Sequence, residues 1–225
     1  MKKKDIILIF YILTVVLLFL INTTRVFIET QTINHPYLMG FIKTSILATS
    51  GELIASRIQS NHYFSKKGLF YRFIVWGILG MGFVLMFHIY DAGVNSAINN
   101  NLLPSIKHSF SNKLVTAFLI SLIMNLSFAP AFMLLHRVTD TYIDLGQGRF
   151  KQITKVKISD VSSTIHWKVY LEFVLIKTIP LFWVPAHTIT FLLPSQYRVL
   201  MAGFLSIALG LILSFSKNKQ KESTN

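Results

Sequence analysis

The sequence predicts an all-α protein, a multi-pass bundle of four to six membrane-spanning helices. Five long hydrophobic runs recur along the chain: Ile6–Ile21, Phe70–His88, Leu114–Leu135, Val169–Leu193 and Val199–Phe215. Each approaches the length of about 20 residues that a helix needs to cross a hydrocarbon layer roughly 30 Å thick. None of them alternates with the period of two that a strand would show, so helices, which satisfy their own backbone in lipid, are the favoured structure.

The composition supports a membrane protein and narrows the classes of function. The 225 residues are 52% hydrophobic and only 14% charged, against about 25% charged in soluble domains. The chain has no cysteine, which excludes disulfides, thiolate metal sites and cysteine nucleophiles. The net charge of +13 would suit nucleic acid, but the cations lie between the apolar runs, where the positive-inside rule explains them better.

The distribution of Lys and Arg predicts the topology once a sixth, more polar span is recognised at Leu38–Gln59. Fifteen of the 22 basic residues lie before the first span, between the second and third, between the fourth and fifth, or after the last. Four lie in the alternate connections. This asymmetry favours six crossings with both termini on the cytoplasmic side. The second and fifth spans carry charges, so a four-span alternative with one or both lying shallow stays open.

The chain divides into three segments. Residues 1–30 are expected to form an N-terminal membrane anchor, because no small-residue cleavage pattern follows the first run. Residues 35–216 form the bundle, whose second helix should start at Pro36, and residues 217–225 form a basic polar tail. A start of three lysines before an apolar run favours a bacterial cytoplasmic membrane, with a mitochondrial inner or peroxisomal membrane as the alternative.

The second span carries a polar stripe of Ser45, Thr49, Glu52 and Ser56, which share one face at 100° per residue. A carboxylate at this depth is costly unless it is paired, protonated or hydrated. Two interpretations stay open. In the first, Glu52 attracts cations or gates a water-lined path; in the second, it bonds to a neighbouring helix and holds the bundle together. The small residues on the adjacent face, such as Gly51, should let another helix approach closely.

Charged residues in the fifth span predict ion pairs within the membrane. Lys168 and Glu172 are four residues apart, the spacing at which side chains on a helix meet. Lys177 lies on another face and deeper, where it could pair with Glu52 or Asp91. The alternative is that both lysines extend their ammonium groups to the membrane surface while their stems stay in lipid.

The sequence contains no motif of an enzyme, a metal site or a cofactor site. The seven histidines are scattered without HxxxH or HExxH spacing, and no glycine-rich nucleotide loop or GxSxG pattern occurs. We therefore expect no catalytic residue, no metal and no cofactor. A weaker alternative is an enzyme or carrier that acts on lipid through the basic loop Arg149–Lys157, although topology control explains that loop more simply.

Several short motifs occur in an order typical of a known family. They are His35-Pro36, Gly51-Glu52, Phe128-Ala129-Pro130, the turn from Leu193-Pro194 to Arg198, and Leu213-Ser214. In this order and spacing, the chain from about His35 to Ser214 resembles the Mpv-seventeen and twenty-two-kilodalton peroxisomal membrane protein family, with an extra N-terminal span. These are small multi-span proteins of organelle membranes.

The resemblance implies a channel-like role in solute permeability and membrane homeostasis, without enzymatic activity or a cofactor. Glu52 stands where the family has Asp, and Pro194 and Arg198 match its proline turn and interfacial cation. The chain departs from the family at Met124-Asn125, which replaces an acidic-Gln pair. A non-conducting scaffold or assembly factor is the rival function. The lipid bilayer is the expected partner; self-association is left open, and nucleic acid is not expected.

Overall fold

The computed structural model describes residues 6, 10, 14, 17, 18, 20–60, 62, 63, 67–106 and 109–222, and all regular secondary structure within them is helical. This confirms the predicted all-α class. In chain order the elements are α1 (Asn22–Asn34), α2 (Pro36–Ser60), α3 (Leu69–Asn99), α4 (Ser109–Ser127), α5 (Ala129–Leu145), α6 (Phe150–Ile153), α7 (Ile158–Thr164), a π-helix (Val169–Trp183), α8 (Val184–Leu192) and α9 (Ser195–Glu222).

Within the described residues, three helical segments are long and apolar enough to cross a membrane, and α4 with α5 forms a fourth if the bent pair is one span. These segments coincide with the second to fifth predicted spans, and their length and composition are those of an integral membrane protein. The first predicted span, Ile6–Ile21, lies mostly outside the described residues. The last predicted span falls within α9, which continues to Glu222, past the predicted start of the tail at 217.

Prolines shape the fourth and fifth spans. The run Leu114–Leu135, which the sequence predicts as one span, is bent, because α4 and α5 meet at an angle of 47°. Pro130 lies in the first turn of α5, where its missing N–H and its ring interrupt the preceding helix. In the fifth span, Pro180 lies inside the π-helix and Pro185 in the first turn of α8. Between these two prolines the π-helix passes into the α-helix α8 at Val184.

Helix α2 is central, packing along α3 on one side and along α9 on the other. Glycines make both approaches close. A Cβ on Gly80 of α3 would lie 2.4 Å from the carbonyl oxygen of Gly40, and a Cβ on Gly51 would lie 3.0 Å from Ile207 of α9. Such contact matters in a bilayer, because burying apolar surface between helices gains little over lipid. The small face predicted on the second span therefore does face another helix.

An apolar core lies between α3, α4, α8 and α9. Phe83 and Phe87 of α3 pack with Met124 of α4 and Phe191 of α8, and all four are buried. The rings of Phe87 and Phe191 lie 5.2 Å apart, in the range where tilted aromatic pairs attract. This core holds α3 between α2 and the pair formed by α4 and α8.

Two of the basic connections meet at one end of the bundle, which we call the basic-loop end. The Lys67 ammonium donates a hydrogen bond to the side-chain oxygen of Gln147. Gly68 and Gly148 have φ angles of 70° and 66°, and a Cβ on Gly148 would lie 2.4 Å from the Gly68 nitrogen. Glycine is required because other residues rarely adopt this conformation and none would fit the gap. The α2–α3 and α5–α6 connections thus lie together, as the charge distribution predicts.

We expect Gly80→Ala to lower the stability of the folded bundle by about 1–3 kcal/mol, because the added methyl group forces α2 and α3 apart. The matched control is Gly82→Ala, two residues away, where an added Cβ meets nothing within 4 Å. Thermal unfolding in detergent micelles measures both variants. Equal melting temperatures for the two would contradict the close α2–α3 contact.

Candidate functional site

A buried ion-pair cluster lies near the basic-loop end, where α2, α3 and α5 meet. Arg72, in the first turn of α3, is 1% exposed. Its Nη1 lies 2.6 Å from Asp140 Oδ1, and its Nη2 lies 2.6 Å from Asp144 Oδ1, both on α5. Glu52 Oε2 of α2 lies 3.9 Å from Nη1. One guanidinium therefore contacts three helices: its bond to Asp144 is a charge-assisted hydrogen bond, and Asp140 and Glu52 add ion-pair contacts.

Trp76 and His136 also contact Glu52. Trp76 Nε1 donates a hydrogen bond of 2.8 Å to Glu52 Oε1, and His136 Nε2 lies 3.7 Å from the same oxygen. The His136 and Trp76 rings pack with their centroids 4.2 Å apart. The structure thus places Glu52 against α3 and α5. Together, Glu52, Arg72, Trp76, His136, Asp140 and Asp144 are called the Arg72 cluster below.

The Arg72 cluster combines three carboxylates with one guanidinium in a partly buried place. Glu52 and Asp140 are mostly shielded from water, with side-chain exposures of 14% and 8%, whereas Asp144 is 59% exposed. Carboxylates in a poorly hydrated place are costly unless a cation lies close by. Arg72 therefore stabilises Glu52 and Asp140 where the three helices meet.

Three members of the cluster have the arrangement of metal ligands. Glu52, His136 and Asp140 offer atoms that all lie within 4.8 Å of one another. However, Asp140 Oδ1 already lies 2.6 Å from Arg72 Nη1, so a divalent cation bound there would face a guanidinium at close range. Like charges this close repel strongly where water is scarce. We therefore interpret the group as an ion-pair cluster.

The rest of the predicted polar stripe is buried between helices. Ser45 is 0% exposed, and its Oγ donates to the carbonyl oxygen of Phe73 at 2.9 Å. Ser56 donates to the carbonyl oxygen of His62 at 2.8 Å. Thr49 is 7% exposed, and within the described residues its hydroxyl has no hydrogen-bond partner. The stripe is continuous along α2 but is closed off from solvent in this structure.

A cavity of about 420 Å³ lies at the opposite end of α2. Arg198, the cation after the predicted Pro194 turn, lines it and places Nη1 2.5 Å from Asp91 Oδ2. The Arg198 Nε also donates to the carbonyl oxygen of Leu193 at 3.1 Å, which holds the turn against α9. Lys43 lines the same cavity and is 7% exposed.

The ion pairs predicted for the fifth span do not form. Lys168, Glu172 and Lys177 are all exposed, and within the described part of the chain none of them makes an ion pair. The π-helix turns residues such as Ile179 toward the bundle and leaves the charged side chains on its outer surface. The cations that Glu52 and Asp91 face are Arg72 and Arg198, not Lys177. The outward placement is compatible with the alternative in which the lysines reach the membrane surface.

A second buried polar contact connects α4 to α8. The side-chain amide of Asn125 lies 3.1 Å from His187 Nδ1, and Ser121 donates to the carbonyl oxygen of Val184 at 2.7 Å. Asn125 and Ser121 are 0% exposed, so these bonds are made in a dry interior. Asn125 belongs to the pair at which the chain departs from the family that it resembles. In this chain the Asn125 side chain connects α4 to α8 through His187.

Sequence reasoning missed Arg72, His136 and Asp140 as members of one site. Arg72 follows Gly68 in the first turn of α3, so in the sequence it lies at the edge of a basic connection. Two signals point to the cluster in retrospect. Glu52 needs a cation at its own depth, and His136 and Asp140 are four residues apart on one helix, where side chains meet. Neither signal says which helices are neighbours.

Comparison with known proteins identifies no relative. No protein-family profile, no curated protein and no solved structure matches this chain. Function is therefore inferred from the geometry of the Arg72 cluster, the polar stripe and the cavity.

We expect Arg72→Met to lower the free energy of unfolding by about 3–5 kcal/mol, because removing one partner of a buried ion pair leaves uncompensated charge. Arg149→Met is the control, since Arg149 is exposed and lies outside the cluster. Denaturant unfolding in micelles measures both. If the two variants unfold alike, the guanidinium does not hold the three helices together.

Proposed function

We propose that the protein is a channel-like membrane protein that passes small solutes or ions and contributes to membrane homeostasis, seen here in a closed form. One observation carries the proposal: the buried polar residues Ser45 and Thr49 of α2 lie between the cavity at one end of the bundle and the Arg72 cluster at the other. From Lys43, which lines the cavity, to Glu52 the helix covers ten residues and rises about 14 Å. Polar side chains along a membrane helix are costly and mark candidate solute pathways.

The contacts also suggest how the path is closed. At the basic-loop end, Arg72 and Glu52 hold α3 against α2, and Asp140 adds α5. Midway, Ser45 is bonded to the backbone of Phe73. Opening requires α2 to separate from α3, which exchanges these contacts for water. A ligand or a proton that favours the separated arrangement shifts the population toward it.

We also propose that the chain is a divergent member of the Mpv-seventeen family. The support is the place of the shared motifs. Pro36 begins α2, Glu52 lies in the Arg72 cluster, and Pro194 with Arg198 forms the turn beside the cavity. Residues scattered in sequence thus mark the two ends of one helix. A bacterial cytoplasmic membrane remains our proposed location.

A non-conducting scaffold is the second candidate, and a specific observation favours it. Ser45 is fully buried and bonded, and at Gly80 and Gly51 the helices α3 and α9 lie in close contact with α2. In that case the polar groups serve only to fix helix contacts, and Glu52 only holds α2 against α3 through Arg72 and Trp76. The two candidates differ in whether α2 ever separates from α3.

We expect Glu52→Gln to raise the open probability in planar-bilayer recordings about tenfold, because losing a contact of roughly 1.4 kcal/mol from the closed form shifts a two-state population by that factor. Glu172→Gln is the matched control, because Glu172 is exposed and makes no ion pair within the described residues. Silence from well-folded native protein and from the Glu52→Gln protein alike would favour the scaffold.

Cysteine reactivity gives an independent measure of opening, since the chain has no native cysteine. We expect Thr49→Cys to react slowly with hydrophilic thiol reagents alone and several-fold faster when combined with Glu52→Gln. Thr188→Cys is the control, because Thr188 of α8 is buried to a similar degree but lies off the stripe. Equal rates at Thr49→Cys with and without Glu52→Gln would argue against a path along α2.

A further inference from the structure

The cavity at the Arg198 end has an excess of positive charge that the proposed conduction does not explain. Its charged lining residues are Lys43, Asp91 and Arg198, and His88 also faces it. Arg198 is neutralised by Asp91, with their atoms 2.5 Å apart. Lys43 has no such partner, because no carboxylate among the described residues lies within ion-pair distance of it. The walls therefore carry one uncompensated positive charge.

The side chain of Lys43 is buried, and its ammonium group donates hydrogen bonds only to neutral acceptors among the described residues. Lys43 is 7% exposed, and its Nζ contacts Thr32 Oγ1 at 2.5 Å and the Gln196 carbonyl oxygen at 3.5 Å. These two neutral acceptors solvate the ammonium in part but leave its charge unbalanced. A buried charge is costly unless it is paired. An anion in the cavity would supply the missing charge.

Two helix N-termini supply further hydrogen-bond donors. Helix α2 begins at Pro36 and α9 begins at Ser195, and both residues line the cavity. The first amides of a helix have no acceptor within it, apart from Pro36, which has no N–H. Phosphate and carboxylate groups bind at such ends. The N-termini of α2 and α9 and the buried ammonium group of Lys43 therefore all lie at this cavity.

The shape of the cavity indicates an anion larger than a bare inorganic ion. Its volume is about 420 Å³, and Val84, Leu85, Phe87 and Val199 supply an apolar part of the wall. A phosphate group has more acceptor oxygens than a carboxylate, which suits donors that arrive from α2, from α9 and from Lys43. The apolar wall suits an organic remainder attached to that group.

We infer that this cavity is a binding site for a phosphate-bearing organic anion, held by Lys43 and by the N-termini of α2 and α9. The site goes beyond the proposed channel function and does not rest on it, because binding needs no open path. Two sources supply this chemistry: a soluble phosphate monoester and the headgroup of an anionic phospholipid. Both place the phosphate against Lys43, and they differ in whether the apolar remainder is a lipid chain.

Thermal unfolding of the full-length protein tests the site without any flux measurement. In detergent, sodium phosphate is compared with sodium chloride at equal ionic strength. In nanodiscs, phosphatidylglycerol is compared with phosphatidylcholine. Stabilisation by phosphate supports the soluble source, and stabilisation by phosphatidylglycerol alone supports the lipid source. Absence of stabilisation in both arms overturns the site, whether or not the protein conducts.

Lys43→Met separates the site from a general salt or lipid effect. We expect the concentration of phosphate or phosphatidylglycerol that gives half the stabilisation to rise at least about tenfold, since one charge-assisted contact contributes on that order. Lys177→Met is the control, because Lys177 is an exposed lysine of another span and should leave binding unchanged. Equal stabilisation of both variants overturns the inference.

A second variant distinguishes loss of anion binding from misfolding. Lys43→Gln keeps a polar side chain beside Thr32 while removing the charge, and the same loss of binding is expected. Without any anion, Lys43→Met should melt no lower than the native protein, because it removes an unpaired buried charge. Strong destabilisation of both neutral variants without added anion would show that Lys43 is balanced from within the chain, and would also overturn the inference.

Discussion

The Arg72 guanidinium is the interaction on which the rest of the bundle depends. It is buried at the start of α3 and reaches carboxylates on both α2 and α5. Taking such charges out of water costs several kcal/mol for each ion, which only good geometry and further hydrogen bonds repay. The planar fork of arginine meets Asp140 through Nη1 and Asp144 through Nη2. A lysine ammonium is shorter and has no such fork, so arginine suits the position better.

The Arg72 cluster lies at one end of α2, and the cavity with Lys43 and Arg198 lies at the other. Between them lie Ser45, bonded to the backbone of Phe73 in α3, and the buried Thr49. The path proposed above would run along this buried polar stripe, and the ion pairs at its two ends hold α2 against the neighbouring helices.

Much of this fold could be predicted from two simple signals, the lengths of the apolar runs and the number of basic residues in each connection. The apolar runs locate the second to fifth spans, Pro36 locates a helix start, and the basic residues place two loops at one end. The bend at Pro130 was hidden inside an unbroken apolar run. The partners of Glu52 could not be predicted, because the sequence shows that Arg72 and Lys177 are both cations but not which of them points toward Glu52. Only the rotation of each helix in the bundle decides which of them faces the carboxylate.

A double-mutant cycle between Arg72 and Asp140 tests the central claim that their buried pair ties α3 to α5. The free energies of unfolding of Arg72→Met, Asp140→Leu and the combined variant are measured in micelles against the native protein. We expect the combined variant to be far less destabilised than the sum of the two single variants, since the second substitution removes a charge already left unpaired. Additive effects would show that Arg72 and Asp140 are not energetically coupled, and the closed bundle would need another explanation.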